Sequence, residues 1–461
     1  MSNIAVIGSM WGDEGKGKIV DLLSTNSDCV VRYQGGPNAG HNVKLKSGLE
    51  VVLHQIPSGI IREGIINYMG NGMVVDDDAL IIEKQELKSK GIEVNSQNLR
   101  ISEISTLITP MHILEDCINE ISLGIGTTLR GIGPAYKDRI ERKAILFSDL
   151  IELKEGDLEN KLRKKLYEIL ELAKFREITP EVFEKWLDKD ENRRKMLRGF
   201  LKNYYCSEKL MKFKNVLGNK FRTRDELEPY LADVAMELHS NILDGDSILF
   251  EGSQGTFLDI CHGTYPFVTS SNSTVGGIYT GTGIYTPLDE ILIVAKAFAT
   301  RVGNGPFPTE IKEKEISDIL ASDGTEIGAT TGRKRRIGWF DCVLAKRAKM
   351  INGATSLVLT KLDRLDELDK IKICYAYEKP DRNKNCLGIF QETPVIARKL
   401  EQYHPVYLDM PGWKTPTKGI TRYEDLPKKA KNYVEKIEEI VDLPILIIGT
   451  GESREDIIKR L

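Results

Sequence analysis

The densest chemistry in the sequence lies in the run W-G-D-E-G-K-G-K, Trp11 to Lys18. Gly12, Gly15 and Gly17 let successive backbone N–H groups turn towards one point, and a helix starting there adds the positive end of its dipole. Lys16 and Lys18 supply charge, so the loop suits a di- or triphosphate. It departs from the usual G-x-x-x-x-G-K-[ST] phosphate loop. Six residues separate Gly8 from Gly15, and Gly17 stands where a Ser or Thr would hold Mg²⁺. An oxygen ligand for magnesium must come from elsewhere, and Asp13 lies in the loop itself.

Other loops carry the matching polar groups. G-G-P-N-A-G-H places His41 beside Asn38 and Gly40, where an imidazole can donate to a phosphoryl oxyanion while Asp13 acts as base. Gly328 to Trp339 offers the Thr330 and Thr331 hydroxyls beside Arg333, Arg335 and Arg336, whose guanidinium forks suit carboxylates and phosphates. Thr360-Lys-Leu-Asp363 ends on a carboxylate that can accept from both N1–H and the N2 amine of guanine, which adenine cannot match. Phe250 to Thr256 and Tyr265 to Asn272 bring amide and hydroxyl groups suited to a base edge and a ribose phosphate.

Apolar runs must position these loops. Ile4 to Ile7, Cys29 to Tyr33, Val51 to Ile56, Ser247 to Phe250, Glu290 to Ala295, Leu357 to Thr360, Ile371 to Tyr375 and Ile445 to Ile448 read as strands. Several are followed at once by Gly, Asp or Lys, as in a mostly parallel sheet whose functional loops lie at the strand C-ends. Asp77 or Asp78 is expected to cap a helix that stops at Gly91. Leu158, Leu162, Leu166, Ile169 and Leu170 form the stripe of an amphipathic helix in a highly charged stretch. The expected architecture is α/β: one large domain, 1–461, with helices on both faces of a large central sheet and a charged helical insertion at 151–245.

Composition sets the outer bounds. The 461 residues hold 65 Lys+Arg against 68 Asp+Glu, a formal net charge of −3, with 41 % hydrophobic and 29 % charged residues. That excludes a disordered chain, and it provides no general field for nucleic acid. Seven cysteines without a C-x-x-C pair offer neither a zinc cage nor a disulfide framework. No apolar run approaches the ~20 residues of a membrane span, so a cytoplasmic protein without membrane or nucleic-acid partners is expected.

Taken together, W-G-D-E-G-K-G-K, G-G-x-N-A-G-H, H-x-I-P-S-G-I, G-N-G-x-V-V-D, G-I-G-P-A-Y, E-G-x-Q-G-T, H-G-T-Y-P-x-V-T-S-S-N, T-R-V-G-x-G-P-F-P-T-E, G-A-T-T-G-R-x-R-R-x-G-W, T-K-L-D and M-P-G-W resemble the adenylosuccinate synthetase family. They run in family order from Ile4 to about Gly451, and only 151–245 matches weakly. The resemblance implies GTP-dependent ligation of IMP and L-aspartate to adenylosuccinate, through 6-phosphoryl-IMP, with one Mg²⁺ per site. It implies that Asp13 removes the N1 proton of IMP and that His41 stabilises the transferring phosphoryl group. Asp13 and the Gly40 carbonyl would hold Mg²⁺.

The same resemblance implies the binding residues. Gly12, Glu14, Gly15, Lys16, Gly17, Lys18, Gly40 and Asn42 would meet the GTP phosphates. Arg335, Lys361, Asp363, Gly449, Thr450 and Gly451 would meet the rest of GTP. Asp13, Lys16, Asn38, Ala39, His41, Thr128, Gln254, Thr269 and Arg333 would contact IMP. Thr330, Thr331, Arg333 and Arg335 would grip aspartate. Arg142 would reach the active site of a neighbouring subunit, which implies a homodimer.

Pro37, Asn42, Met10, Gly449 and Lys334 depart from the usual family residues without removing a catalytic group. Asn42 and Gly449 alter contacts expected around GTP. Two other readings compete. A GTP-binding switch protein would share the glycine loop and T-K-L-D, but it lacks a use for the second set of polar loops. A nucleic-acid module would rest on G-R-K-R-R alone, without a basic stripe.

Overall fold

In this computed structural model the described residues are 2–45, 47–124, 126–322, 326, 334–380, 386–390 and 397–460. Among them, ten strands form the central sheet: β1 (Ile4–Gly8), β2 (Cys29–Arg32), β3 (Ile66–Met69), β4 (Leu99–Ser102), β5 (Leu231–Ala232), β6 (Ile248–Glu251), β7 (Glu290–Lys296), β8 (Ser356–Thr360), β9 (Ile445–Gly449) and β10 (Ile457–Lys459). Their order is β10-β9-β8-β7-β1-β6-β2-β3-β4-β5, parallel throughout except for β10 against β9. The polar loops follow β9, β8, β7, β1, β6 and β2, which are neighbours in that order. Their C-terminal ends therefore form one continuous rim.

The continuous apolar runs are explained by burial on both faces. Along β1, Ala5 and Ile7 pack with Val31 and Phe250 on one face, while Val6 packs with Val30, Leu249 and Val294 on the other. The helix Lys16–Leu23 (α1) lays Ile19 and Val20 on the second face, and Val234 and Leu238 of the helix Val234–Asp244 cover the first. Burying such side chains contributes about 1.5–3 kcal/mol each relative to exposure, against the entropy of ordering them.

Three expectations change. The segment containing Val51 to Ile56 pairs as Glu50–Leu53 with His41–Lys44 in a separate antiparallel hairpin. Ile371 to Tyr375 belongs to the long strand Lys370–Pro380 of a second small sheet, paired with His404–Pro411. Neither joins the central sheet. The helix Asp77–Ser89 (α2) is capped by Asp76, whose Oδ1 accepts from Ala79 N at 3.0 Å. Asp77 is instead drawn away by Lys220 and by the Thr223 hydroxyl (2.6 Å), a long-range contact invisible to local spacing. Gly91 does follow the helix, in the left-handed region at φ 79°.

Residues 151–245 form a run of helices, including Glu155–Phe175, Pro180–Asp188 and Phe213–Leu227. Leu158, Leu162 and Ile169 are buried among Leu107, Leu114 and Phe147. The stretch is not wholly helical: Leu231–Ala232 pairs with Ile101–Ser102 and forms the sheet's edge. No helix among the described residues is long and apolar enough to cross a membrane.

Candidate active site

Gly12 and Gly15 have φ of 84° and 88°, a region that favours glycine, and Asp13 between them is also left-handed at φ 61°. The Asp13 side chain stays partly exposed and lines the cavity. Glu14 turns inward: its Oε1 accepts from Met10 N (3.1 Å) and Gly12 N (2.9 Å), and its Oε2 pairs with Lys16 Nζ at 2.7 Å. The buried Glu14 carboxylate thus shapes the cradle from within. Lys18 reaches across to the carbonyls of Gly451 (2.9 Å) and Asp456 (3.0 Å), and burial lowers its pKa to about 8.

The histidine hairpin packs flush on the start of α1. His41 is buried, and its Nδ1 is bonded to Glu251 Oε1 at the end of β6. Glu251 also accepts from Ser58 N and Ser58 Oγ, each at 2.7 Å. Burial opposes charge on Glu251, yet His41, Arg32 and Ser58 hold its carboxyl below the usual range. Burial likewise lowers the pKa of His41. Glu251 thus fixes the imidazole through Nδ1, so a ligand contact of His41 falls to Nε2. Nothing in the local sequence marks Glu251 for this role, although it opens the E-G-x-Q-G-T motif.

Arg335 links two carboxylates. Its Nε donates to Asp13 Oδ2 at 2.8 Å and its Nη1 to Glu326 Oε2 at 3.0 Å. Lys296 (2.8 Å) and Lys361 also bond Glu326, which is buried. Burial disfavours that charge, but Lys296, Lys361 and Arg335 together hold Glu326 far below the ordinary carboxylate range. Burial brings Lys296 down to about 7. Neither Glu326 nor Lys296 was singled out from the sequence, because nothing in their local spacing indicates this junction.

One cavity of about 740 Å³ takes in Gly12 to Lys18, Asn38 to Asn42, Thr128, Gln254, Thr269, Arg335, Lys361, Asp363, Gly449 and Gly451. Among the described residues, Asp363 Oδ1 and Gln254 Oε1 are buried without a hydrogen-bond partner. Buried acceptors left open in this way cost stability and call for a donor from a ligand. Burial also raises the pKa of Asp363. Asp13 and the carbonyl of Gly40, with phosphate oxygens, would make an all-oxygen donor set of the kind Mg²⁺ prefers.

Some expected residues lie elsewhere. Thr450 is buried, and its hydroxyl donates to Ile420 O at 2.8 Å, away from the cavity. Arg142 is exposed and outside it, in a left-handed turn at φ 61°. Asn42 lines the cavity edge with its amide donating to Glu50 at 3.4 Å. Thr330, Thr331 and Arg333 lie outside the described residues.

A family model described as adenylosuccinate synthetase matches residues 5–458. The chain belongs to the adenylosuccinate synthetase family. The adenylosuccinate synthetase of Halorhodospira halophila is 44 % identical over 465 residues, covering 100 % of this chain and 99 % of that protein. That of Alkalilimnicola ehrlichii is 43 % identical over 460 residues, covering 99 % and 97 %. The structure of a fully ligated adenylosuccinate synthetase from Plasmodium falciparum aligns over 100 % of both chains, with a TM-score of 0.85 and 31 % identity. A succinoaminodeoxyadenylate synthetase of cyanophage S-2L shares the fold, at a TM-score of 0.58 and 17 % identity. The family reaction is GTP-dependent ligation of IMP and L-aspartate to adenylosuccinate, with release of GDP and phosphate. This chain is a GDP-forming C–N ligase of AMP synthesis.

Proposed function

We propose that Asp13 and His41 carry the two halves of this ligation within the single cavity, Asp13 as base and His41 as oxyanion donor. The observation that supports it most is their convergence: the loop of Asp13 and the hairpin of His41 line one cavity, with Gly17 packed against His41. Asp13 takes the N1 proton of IMP, and the electron pair moves to O6. The O6 oxyanion attacks the γ-phosphorus of GTP, the bond to the β-phosphate oxygen breaks, and GDP leaves. The amine of aspartate then attacks C6, sheds a proton, and expels phosphate. A purine oxygen is a poor leaving group as hydroxide and a good one as phosphate, which is why the reaction spends GTP.

Phosphoryl transfer depends on positioning and charge neutralisation more than on covalent help. The backbone amides of Gly12 to Gly17 and the Lys16 ammonium would hold the phosphates. His41 Nε2 would meet the developing charge while Glu251 fixes the ring through Nδ1. Mg²⁺, held by Asp13 and the Gly40 carbonyl, would neutralise phosphate charge. The buried Asp363 Oδ1 would accept from guanine, with Lys361, Gly449 and Gly451 around it. Asn38, Ala39, Thr128, Gln254 and Thr269, with Arg333, would hold IMP. Thr330, Thr331, Arg333 and Arg335 would hold aspartate.

Arg142, exposed at the end of its helix, would serve the site of a second copy in a homodimer, and the enzyme would work in the cytoplasm. The test is a coupled assay with enzyme, Mg²⁺, IMP, GTP and aspartate, each left out in turn. Product must require all of them. GTP hydrolysis independent of IMP would instead favour a GTP-binding switch.

A further inference from the structure

Lys165 sits mid-way along Glu155–Phe175, the first long helix of the charged insertion, yet its side chain is only 7 % exposed. Its Nζ lies 2.9 Å from Glu115 Oε2 and 2.8 Å from Asp138 Oδ1. Glu115 belongs to the helix Pro110–Leu123 (α3) and Asp138 to the helix Ile132–Ile140 (α4). Both carboxylates are buried. One ammonium from the insertion therefore bridges two negative groups on two other helices.

Those helices frame a wall of the cavity. The segment 126–133 runs from α3 into α4, and Gly126, Thr127, Thr128, Ile132 and Gly133 face the cavity. Its return to α3 is tight: Gly131 N donates to Asp116 Oδ2 at 3.0 Å, and a β-carbon on Gly131 would come within 2.9 Å of His112 Cβ. His112 Nδ1 accepts from Thr109 N (2.9 Å), so Nε2 carries the proton donated to Asp138 Oδ2 at 3.0 Å. At the far end of α4, the Asp138 carbonyl accepts from Lys143 N at 2.9 Å, closing the turn that presents Arg142. Asp138 thus ties together the Thr128 segment and the Arg142 turn, and Lys165 neutralises it. Glu115 retains Lys137 as a second partner, but that ammonium is half-exposed.

We propose that Lys165 is a positioning residue for IMP: it clamps α3 to α4 and so holds Thr128 and Arg142 where the nucleotide needs them. The insertion is then a working part of the IMP site and not a solvated cover. Without Lys165, Glu115 and Asp138 face each other across a buried gap, and repulsion opens the α3–α4 contact. The phosphate loop, the His41 hairpin and the Asp363 turn lie on other elements and are left in place.

This inference rests on the proposed reading of Thr128 as an IMP contact, and the experiment separates the two. Steady-state kinetics are measured on the full-length enzyme for Lys165→Met, Lys165→Arg, the double variant Glu115→Gln/Lys165→Met, and Thr128→Ala as reference. Lys165→Met is expected to raise KM for IMP by about fivefold or more while KM for GTP stays within about twofold, the size of effect usual for coupling through a packed network. Lys165→Arg and the double variant, which relieve the repulsion, are expected to recover most of the loss. If Thr128→Ala raises KM for IMP but Lys165→Met does not, or shifts every KM alike, the clamp is wrong. If Lys165→Met does not fold, failure of the double variant to return a selective IMP effect or normal KM values also overturns it. If Thr128→Ala itself leaves KM for IMP unchanged, the reading of Thr128 fails.

Discussion

Gly17 lies so close to His41 that a β-carbon added to Gly17 would stand 2.7 Å from His41 Cβ and 3.2 Å from its Cα. The contact fixes the spacing between the phosphate loop and the histidine hairpin. Only a hydrogen at this point of α1 lets the two backbones meet. Gly17→Ala is therefore expected to push the hairpin outward and lower kcat by about 10²-fold, the usual cost of roughly 1 Å of misplacement at a reacting centre. Thermal stability should fall much less, since the buried sheet is untouched. Unchanged kcat would show that the hairpin spacing is not critical.

Glu251 controls His41 through Nδ1. Glu251→Gln keeps the shape but removes the charge that supports an imidazolium when phosphoryl charge develops. A loss of about 10²-fold in kcat is expected, with KM for GTP and IMP changed little. A pH–rate profile checks the cause: the variant's profile should differ from that of wild type. Loss of binding with kcat intact would contradict this.

Asp363 should decide the base. Its Oδ1 is buried without a partner among the described residues, so it discriminates by what it leaves unpaired as much as by what it binds. Asp363→Ala is expected to raise KM for GTP by about 10²-fold or more and to reduce the preference for GTP over inosine triphosphate, which lacks the N2 amine. Competition between the two nucleotides in one assay measures that preference.

Asp341 provides a stability test remote from the chemistry. It caps the helix Cys342–Asn352, accepting from Leu344 N at 3.1 Å and from the Tyr377 hydroxyl. Burial raises its carboxyl to about 7. An unfolded aspartate releases its proton near ~3.9, so between about 4 and 7 the folded state binds more protons. Stability from this group is then greatest at low pH and declines as pH rises through that window. Asp341→Asn retains the cap and removes the titration, so its Tm should fall less than that of wild type between pH 5 and pH 7.5.

The sequence made most of the rim legible. Glycine loops after apolar runs required strand C-ends, and ordered motifs led to the family and the cavity residues. What it hid depends on distance in the chain. The cap at Asp76 was obscured because Asp77 has a partner 143 residues away in Lys220. The hairpin holding Val51 looks like any buried strand until its neighbours are known. Glu251, Glu326 and Lys165 are ordinary charged residues in isolation, and each acquires meaning only when folding buries it against opposite charge.

The most direct measurement is rapid-quench analysis of Asp13→Ala mixed with Mg²⁺, IMP and GTP. Removal of the carboxylate should abolish formation of GDP and of the phosphorylated purine, while IMP binding, followed separately by calorimetry, persists. A burst of GDP near the wild-type rate would contradict the account, because the purine oxygen would then be activated by some group other than Asp13.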